Sequence, residues 1–261
     1  MINLLCDMHT ITQEVDTMAK IITIAISKGG TAKSTTAAAL LQAGAQAGAK
    51  TLAIDLDPQA NLTHLTGGTQ NEGSYLFLRG AKPKDVIQHT AQGIDLIAAS
   101  RALATEKSEK GSATRLRKAI QPIKRAYDLI IVDTPPTASE LLYNALQAAT
   151  GLIIPLQAGI LDLQGLTQIA ETAALIQQSN PDLSVLGVLI TRYSGRTNLS
   201  KQLKEIIANA AADMQIPYLQ EIREGIAVQE AAAMRVSLFK HAPKSKPAID
   251  YMALYNKIME V

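Results

Sequence analysis

The sequence predicts a doubly wound α/β fold, in which helices flank a mostly parallel central sheet. Short apolar segments rich in β-branched residues alternate with helix-forming segments along the chain. Three of these apolar segments lead into a glycine-rich loop or end in aspartates, and ligands bind such sheets at the carboxyl ends of the strands. No repeat or low-complexity linker divides the chain, so we expect one domain over residues 19–261 after an extension of residues 1–18.

The composition is that of an ordinary globular protein. Of its 261 residues, 47% are hydrophobic and 18% are charged, and the formal net charge is only +2. A charge this small does not by itself indicate nucleic-acid binding, which would have to come from the distribution of basic residues. The single cysteine, Cys6, excludes an internal disulfide, and no apolar run has the length of a membrane span. We therefore expect a cytoplasmic protein.

The first predicted strand, Ile21–Ile26, leads through a glycine-rich loop into a predicted helix at Ala37–Ala47. Gly29 and Gly30 allow the backbone to turn its N–H groups inward. The new helix directs the positive end of its dipole to the same place, so this arrangement predicts a phosphate-binding loop.

Two side chains of the loop suit a nucleotide and its metal ion. Lys33 is placed to reach the β- and γ-phosphates, and the hydroxyl group of Ser34 is placed to bind magnesium. The alternative interpretation is a Gly-Gly turn with incidental lysines.

The pattern Lys-Gly-Gly-x-x-Lys-Ser at residues 28–34 resembles the deviant Walker A box of the ParA/MinD family of P-loop ATPases. The resemblance implies ATP and Mg²⁺ as cofactors, and catalytic roles for Lys28 and Lys33. It also implies a homodimer in which Lys28 reaches the phosphates bound to the partner. Ser27 and Ala32 stand where the usual pattern has glycine. The nucleotide-binding residues implied here are Lys28, Gly29, Gly30, Thr31, Ala32, Lys33, Ser34 and Thr35.

A second strand, Lys50–Asp57, ends in two carboxylates. The pattern Asp-x-Asp-Pro-Gln-x-Asn that begins at Asp55 resembles the switch I motif of the same family. By that resemblance, Asp57 orients the attacking water and Asp55 lies near the phosphates and magnesium. The other interpretation is an Asp-Pro turn that caps a helix beginning near Ala60, and one residue can serve both purposes.

A third strand, Tyr127–Asp133, has four apolar residues before its final carboxylate. This pattern is Walker B-like, and it predicts that Asp133 holds magnesium directly or through water.

The stretch between the second and third strands is harder to interpret. Short helical turns are predicted at Ser74–Leu78 and Asp85–Gln88, and a short strand at Ile94–Ala98. A helix is predicted over Arg101–Arg125.

Two more strands, Gly151–Leu156 and Leu183–Ile190, are predicted on either side of a helix from Leu161 to about Gln178. The run after the second of these strands is similar to the family's stretch beside the adenine. Thr191 and Arg192 are therefore candidate base contacts. The segment that begins at Ile222 aligns with another family motif, but Arg223 and Glu224 replace its Pro and Arg.

Helical spacing predicts two further helices near the end of the sequence. The apolar stripe of the first is expected to be core and comprises Leu199, Leu203, Ile206, Ile207, Ala210 and Met214. The last helix is expected to dock on the body of the protein through Ile249, Met252, Tyr255 and Met259.

The resemblance implies a ParA-type ATPase that partitions DNA or positions a cargo. The ATP-bound dimer would bind double-stranded DNA without sequence preference, and would associate with the nucleoid. A ParB-like or cargo-adaptor protein would stimulate hydrolysis, which would be slow without it. The candidate DNA contacts are Arg196, Lys201, Lys204, Arg235, Lys240, Lys244 and Lys246. A solvated basic edge is the alternative interpretation of these residues.

Two other functions belong to different classes. A MinD-like regulator that cycles on membranes would need a basic amphipathic C-terminal helix, but residues 248–261 contain only Lys257 as a base. We therefore expect no membrane partner. An amide- or biotin-pathway ligase would need a dedicated pocket for a second substrate, and the sequence indicates none.

Overall fold

The computed structural model describes residues 19–105, 111–159 and 162–260. The predicted extension, residues 1–18, lies outside the described residues.

The described residues form one sheet of eight strands in the order β3-β4-β2-β5-β1-β6-β7-β8. Every neighbouring pair is parallel except β3 and β4, which are antiparallel. The chain has the predicted α/β architecture of a P-loop NTPase. The strands are β1 Lys20–Ile24, β2 Thr51–Asp55, β3 Ile87–His89, β4 Asp95–Ile97, β5 Leu129–Asp133, β6 Gly151–Leu156, β7 Ser184–Tyr193 and β8 Tyr218–Arg223.

Helices cover both faces of the sheet, because the central strands are apolar on both sides. One core cluster joins the sheet to α1, α2 and α9–α11, and two clusters on the other face join it to α3–α8. The helices are α1 Lys33–Gln46, α2 Asn61–Leu65, α3 Gly73–Leu78, α4 Pro83–Val86, α5 Arg115–Ile120, α6 Glu140–Ala148, α7 Asp162–Gln177, α8 Asn198–Asp213, α9 Ile226–Met234, α10 Leu238–His241 and α11 Lys246–Glu260. In the described ranges, none of them has the length and apolarity needed to span a bilayer.

The sequence correctly predicts the six inner strands and misses both edge strands, β3 and β8. An edge strand is covered on fewer sides, so it needs fewer apolar residues. In β8 only Ile222 is buried. The predicted turn at Asp85–Gln88 is half right, because α4 ends at Val86 and β3 follows at once.

The predicted helix at Arg101–Arg125 is wrong. Its described parts are three short 3₁₀ turns and the six-residue α5. Gly111 has φ of 84°, a left-handed conformation that stops a helix, and Pro122 lacks the N–H group that α5 would need to continue.

Part of the expected core is exposed. Leu199, Ile206 and Met214 are 63%, 47% and 37% exposed, whereas Ile207 is buried, because α8 covers the edge of the sheet and only one side of it has a partner. In α11, Ile249 is 53% exposed, while the other predicted docking residues pack at least partly against the core. The face of α11 that docks is centred on Tyr251, Leu254, Tyr255 and Ile258.

Candidate functional site

The loop between β1 and α1 has the backbone shape of an anion-binding nest. Gly30 has φ of 78° and Ala32 has φ of 65°, so both lie in the left-handed region. Glycine adopts this conformation freely, but the Cβ atom of alanine makes it cost about 1 kcal/mol. Alternating backbone conformations of this kind turn successive N–H groups toward one point, next to the N-terminus of α1.

The ends of β6 and β7 fix this loop in place. The side-chain amide of Gln157 donates a hydrogen bond to the carbonyl of Gly30 at 2.6 Å. The hydroxyl of Thr191 lies 3.1 Å from the carbonyl oxygens of both Thr31 and Leu156. Thr191, a candidate base contact, therefore bonds to the loop backbone. Gln157 was not predicted, since a lone glutamine after a strand carries no sequence signal.

The two lysines of the loop point to different partners. The ammonium of Lys33 donates to the carbonyl of Lys28 at 2.9 Å and is buried. Burial lowers the pKa of Lys33, and the charges of Asp133 and Asp57 oppose that shift. The ammonium of Lys28 instead lies 2.9 Å from Asp162, the first residue of α7, whose side chain is 1% exposed.

Two carboxylates face the loop from adjacent strands. Asp55 at the end of β2 is in register with Asp133 at the end of β5. Burial raises the pKa of Asp133 well above its usual range, and the charge of Asp55 raises it further, while the Ser34 hydroxyl and the Lys33 charge oppose the rise. The Ser34 hydroxyl is near enough to influence Asp133 but does not meet hydrogen-bond geometry, so neither carboxylate oxygen of Asp133 has a hydrogen-bond partner among the described residues.

Asp55 organises the segment that follows it. Its carboxylate accepts hydrogen bonds from the backbone N–H of Asp57 at 3.1 Å and from both the N–H and the hydroxyl of Thr63 at 2.8 Å. Burial nevertheless raises the pKa of Asp55 to about 6. The sequence does not predict this role of Thr63, which holds the Asp55 carboxylate through both its N–H group and its hydroxyl.

Asp57 forms the predicted turn before the next helix. Its carboxylate accepts a hydrogen bond from the N–H of Gln59 at 3.0 Å, and its carbonyl accepts one from Ala60. Ala60 has φ of 58°, and α2 begins at the next residue.

The donor set suits magnesium better than a metal held by protein ligands alone. Ser34, Asp55 and Asp133 offer only oxygen atoms, and the two orphaned oxygens of Asp133 lack the partners that a buried charge requires. The described residues contain no group of three or more His, Cys, Asp or Glu that could hold a metal. Mg²⁺ usually binds through one or two carboxylates together with phosphates and water, so these residues fit it.

A cavity of about 220 Å³ lies beside the loop and includes Ala32 in its wall. Both candidate base contacts, Thr191 and Arg192, line it. Sequence reasoning gave no role to three other residues that line it, namely Arg223, Glu224 and Tyr251. The first two depart from the family's motif, and the third is one turn away from the predicted docking residue Tyr255.

The candidate DNA contacts do not form one cluster. Arg196 and Lys246 line one cavity of about 330 Å³, together with Arg223. Lys204 is bonded to Glu221 of β8 at 2.6 Å, while Arg235 is bonded to the carbonyl of Gly68, near the opposite edge of the sheet. The three remaining candidates, Lys201, Lys240 and Lys244, are exposed.

Sequence comparison places the chain in a known family. A family model described as an AAA domain matches residues 19–185. The chromosome-partitioning ATPase Soj of Thermus thermophilus is 34% identical over 240 residues, which cover 91% of this chain and 94% of Soj. The chain belongs to the ParA/MinD family.

Several solved structures of similar shape contain a nucleotide. Cobyrinic acid a,c-diamide synthase from Mycobacterium smegmatis, solved with ADP and magnesium, is 29% identical with a TM-score of 0.79, covering 93% of this chain and 95% of the synthase. The septum site-determining protein MinD of Pyrococcus horikoshii, complexed with Mg-ADP, is 24% identical with a TM-score of 0.75. The match covers 92% of this chain and 96% of MinD. At this identity, the MinD comparison shows the fold alone.

Proposed function

We propose that this protein is a ParA-type ATPase that uses ATP and Mg²⁺ to control its binding to DNA. The observation that carries the proposal is the convergence of buried Lys33 and the unpartnered carboxylate of Asp133 beside a phosphate nest. A buried carboxylate without hydrogen bonds is costly, and a magnesium ion would supply the missing partner. The similarity to Soj, named as a chromosome-partitioning ATPase, supports the same function.

Each residue of the site has a role in this proposal. The nest and Lys33 bind the β- and γ-phosphates, while Ser34 and Asp133 hold Mg²⁺ and Asp55 contacts it through water. Bound magnesium neutralises charge that develops on the phosphates. Asp57 orients the attacking water. Thr191 and Arg192 position the base in the adjacent cavity.

The position of Lys28 leads us to include a dimer in the proposal. Its ammonium faces Asp162 and not the phosphate nest of its own chain. We propose that it contacts the phosphates of a second protomer when ATP is bound. The dimer would double the number of basic side chains that DNA meets, and such contacts add and weaken with salt. A ParB-like or cargo-adaptor partner would then stimulate hydrolysis and release the dimer from the nucleoid.

The test is binding to a fluorescent DNA duplex of arbitrary sequence with ATP, with ADP and without nucleotide, in the presence of magnesium. We expect tight, salt-sensitive binding with ATP, and only weak binding with ADP or without nucleotide. Lys28→Ala is expected to bind ATP without dimerising, and Asp57→Ala to dimerise without hydrolysing ATP. Lys84→Ala, at an exposed position of α4, serves as the control. Equal DNA binding in all three nucleotide states would refute the proposed switch.

An amide-forming synthase is the second candidate, since the M. smegmatis structure with that name is 29% identical. Such an enzyme would hydrolyse ATP only together with its acid substrate and an amide donor. ATP turnover that depends on DNA and not on these additions would exclude it. A MinD-like function would instead show as ATP-dependent sedimentation with anionic liposomes, which we do not expect.

A further inference from the structure

Arg223 and Asp250 form an ion pair in which both the side chain and the backbone N–H of Arg223 donate hydrogen bonds to the carboxylate. The carboxylate of Asp250 accepts hydrogen bonds from Nε of Arg223 at 2.9 and 3.1 Å and from Nη2 at 2.6 Å. It also accepts the backbone N–H of Arg223 at 2.8 Å. The pair joins the end of β8 to the first turns of α11, although the arginine side chain remains 43% exposed.

The position of Arg223 connects two cavities. Arg223 and Glu224 line both the base cavity and the cavity that contains Arg196 and Lys246. The second cavity therefore has three basic residues around it, two of which are candidate DNA contacts. The end of β8 is a wall that the two cavities share.

The next residue of α11, Tyr251, faces the cavity beside the phosphate loop. Tyr251 lines the base cavity, and its hydroxyl lies 3.3 Å from that of Thr36, in the first turn of the helix that follows the phosphate loop. One short segment of α11 thus touches the helix of the loop through Tyr251 and the arginine through Asp250. A base that enters the cavity would contact both Tyr251 and Arg223, which line it.

We propose that Asp250 masks Arg223, a cation of the DNA-binding surface, and that a base bound in the adjacent cavity unmasks it. This inference rests on the proposed function and names a regulatory residue for it. A carboxylate at 2.6 Å leaves the pair without net charge, so a distant phosphate gains little from it. The base acts by favouring the released arrangement over the masked one, which requires that it bind the released arrangement better. Once released, the guanidinium can form a bidentate contact with phosphate.

The experiment measures DNA affinity against salt concentration, with ATP and without nucleotide, for Arg223→Gln, Asp250→Asn and the parent. Each phosphate contact changes the slope of log K against log salt by about one. We expect Arg223→Gln to flatten this slope by about one per protomer with ATP, and to leave it unchanged without nucleotide. Asp250→Asn is expected to steepen the nucleotide-free slope by about one. The double variant, Arg223→Gln with Asp250→Asn, should not show this steeper nucleotide-free slope.

Asp213→Asn is the matched control, because it removes the same charge from an exposed position at the far end of α8. It should leave both slopes unchanged. Thermal unfolding and ATP affinity, measured on every variant, identify any loss of folding or of nucleotide binding. Arg223→Lys, which keeps the charge, should restore most of the ATP-dependent slope.

The outcomes separate this inference from the proposed function. If the parent does not bind DNA with ATP, both fail. If the parent binds DNA but Arg223→Gln changes the slope equally in both nucleotide states, or in neither, only the masking role is overturned. An Asp250→Asn variant that behaves like Asp213→Asn overturns it as well.

Discussion

The ammonium of Lys28 and the carboxylate of Asp162 form an ion pair at 2.9 Å within one chain. The lysine is about one-third exposed, while the aspartate is buried and its second oxygen has no partner among the described residues. A lysine that is needed by a second protomer must first leave this carboxylate. If Lys28 contacts the phosphates of a second protomer, as proposed, the intrachain pair competes with dimerisation.

Asp162→Asn is expected to weaken that competition. A pair of this exposure is worth at most about 1 kcal/mol, so half-maximal dimerisation should need up to about fivefold less ATP. Sedimentation velocity over a range of ATP concentrations measures the change. Asp182→Asn, which breaks a more exposed pair with Arg117 at 3.8 Å, is the control. An unchanged ATP requirement in Asp162→Asn would show that the pair does not restrain Lys28.

Ala32→Gly is expected to stabilise the protein. Ala32 has φ of 65°, so glycine removes a steric cost that outweighs its own greater chain entropy, with a net gain of about 0.5–1 kcal/mol. Urea unfolding without nucleotide measures this gain. Ala45→Gly, inside α1, should destabilise by about 1 kcal/mol instead. A loss of stability in Ala32→Gly would mean that the backbone at this position is unstrained.

The stability of the magnesium-free protein should fall as the pH rises through the range set by its buried carboxylates. Burial raises the pKa of Asp55 from 3.8 to about 6 and that of Asp133 in the same direction. The folded chain then binds more protons than the unfolded chain between about 3.8 and about 6, so the free energy of unfolding decreases through that range.

Asp133→Asn should remove much of the decrease in the free energy of unfolding that accompanies rising pH. Without the buried charge, the free energy of unfolding above neutral pH is expected to rise by an amount on the order of 1–3 kcal/mol in buffer without metal. Urea unfolding on either side of the titration range measures it. Addition of magnesium and nucleotide should stabilise the parent much more than the variant. If the free energy of unfolding depends on pH equally in the parent and the variant, burial of the Asp133 charge does not destabilise the fold as expected.

Tyr251→Phe should cost about 1 kcal/mol, because it removes the hydroxyl that meets Thr36 at 3.3 Å in a buried position. Tyr255→Phe is the matched control on the same helix, since its hydroxyl has no hydrogen-bond partner in the described part of the chain. Thermal unfolding of both variants provides the comparison. A similar effect of the two changes would assign the cost to general repacking of α11.

The sequence could predict the parts of the site that depend on neighbouring residues. The phosphate loop, the Asp55 turn and the strand before Asp133 each combine a local conformation with a side chain of defined chemistry. The contacts that join distant segments could not be predicted in this way. Lys28 and Asp162 are 134 residues apart, and no local pattern states that they meet.

The errors have a common physical cause. Sequence periodicity shows which residues of a helix are apolar, but not whether another element covers them. Ile206 remains exposed because α8 lies at the edge of the sheet, whereas Tyr251 is buried because α11 packs between α1 and β8. Arg223 departs from a motif, so the sequence assigns it no role, although the fold places it between two cavities.

Thr36 and Tyr251 are separated by 215 residues of the chain, yet they meet beside the phosphate loop. During translation, the loop leaves the ribosome long before the helix that carries Tyr251 has been made. A nascent chain therefore has a phosphate loop but no finished wall for the base. If this cavity holds the base, as proposed, full affinity for the nucleotide requires that this late helix has docked, and an incomplete polypeptide would bind ATP less tightly.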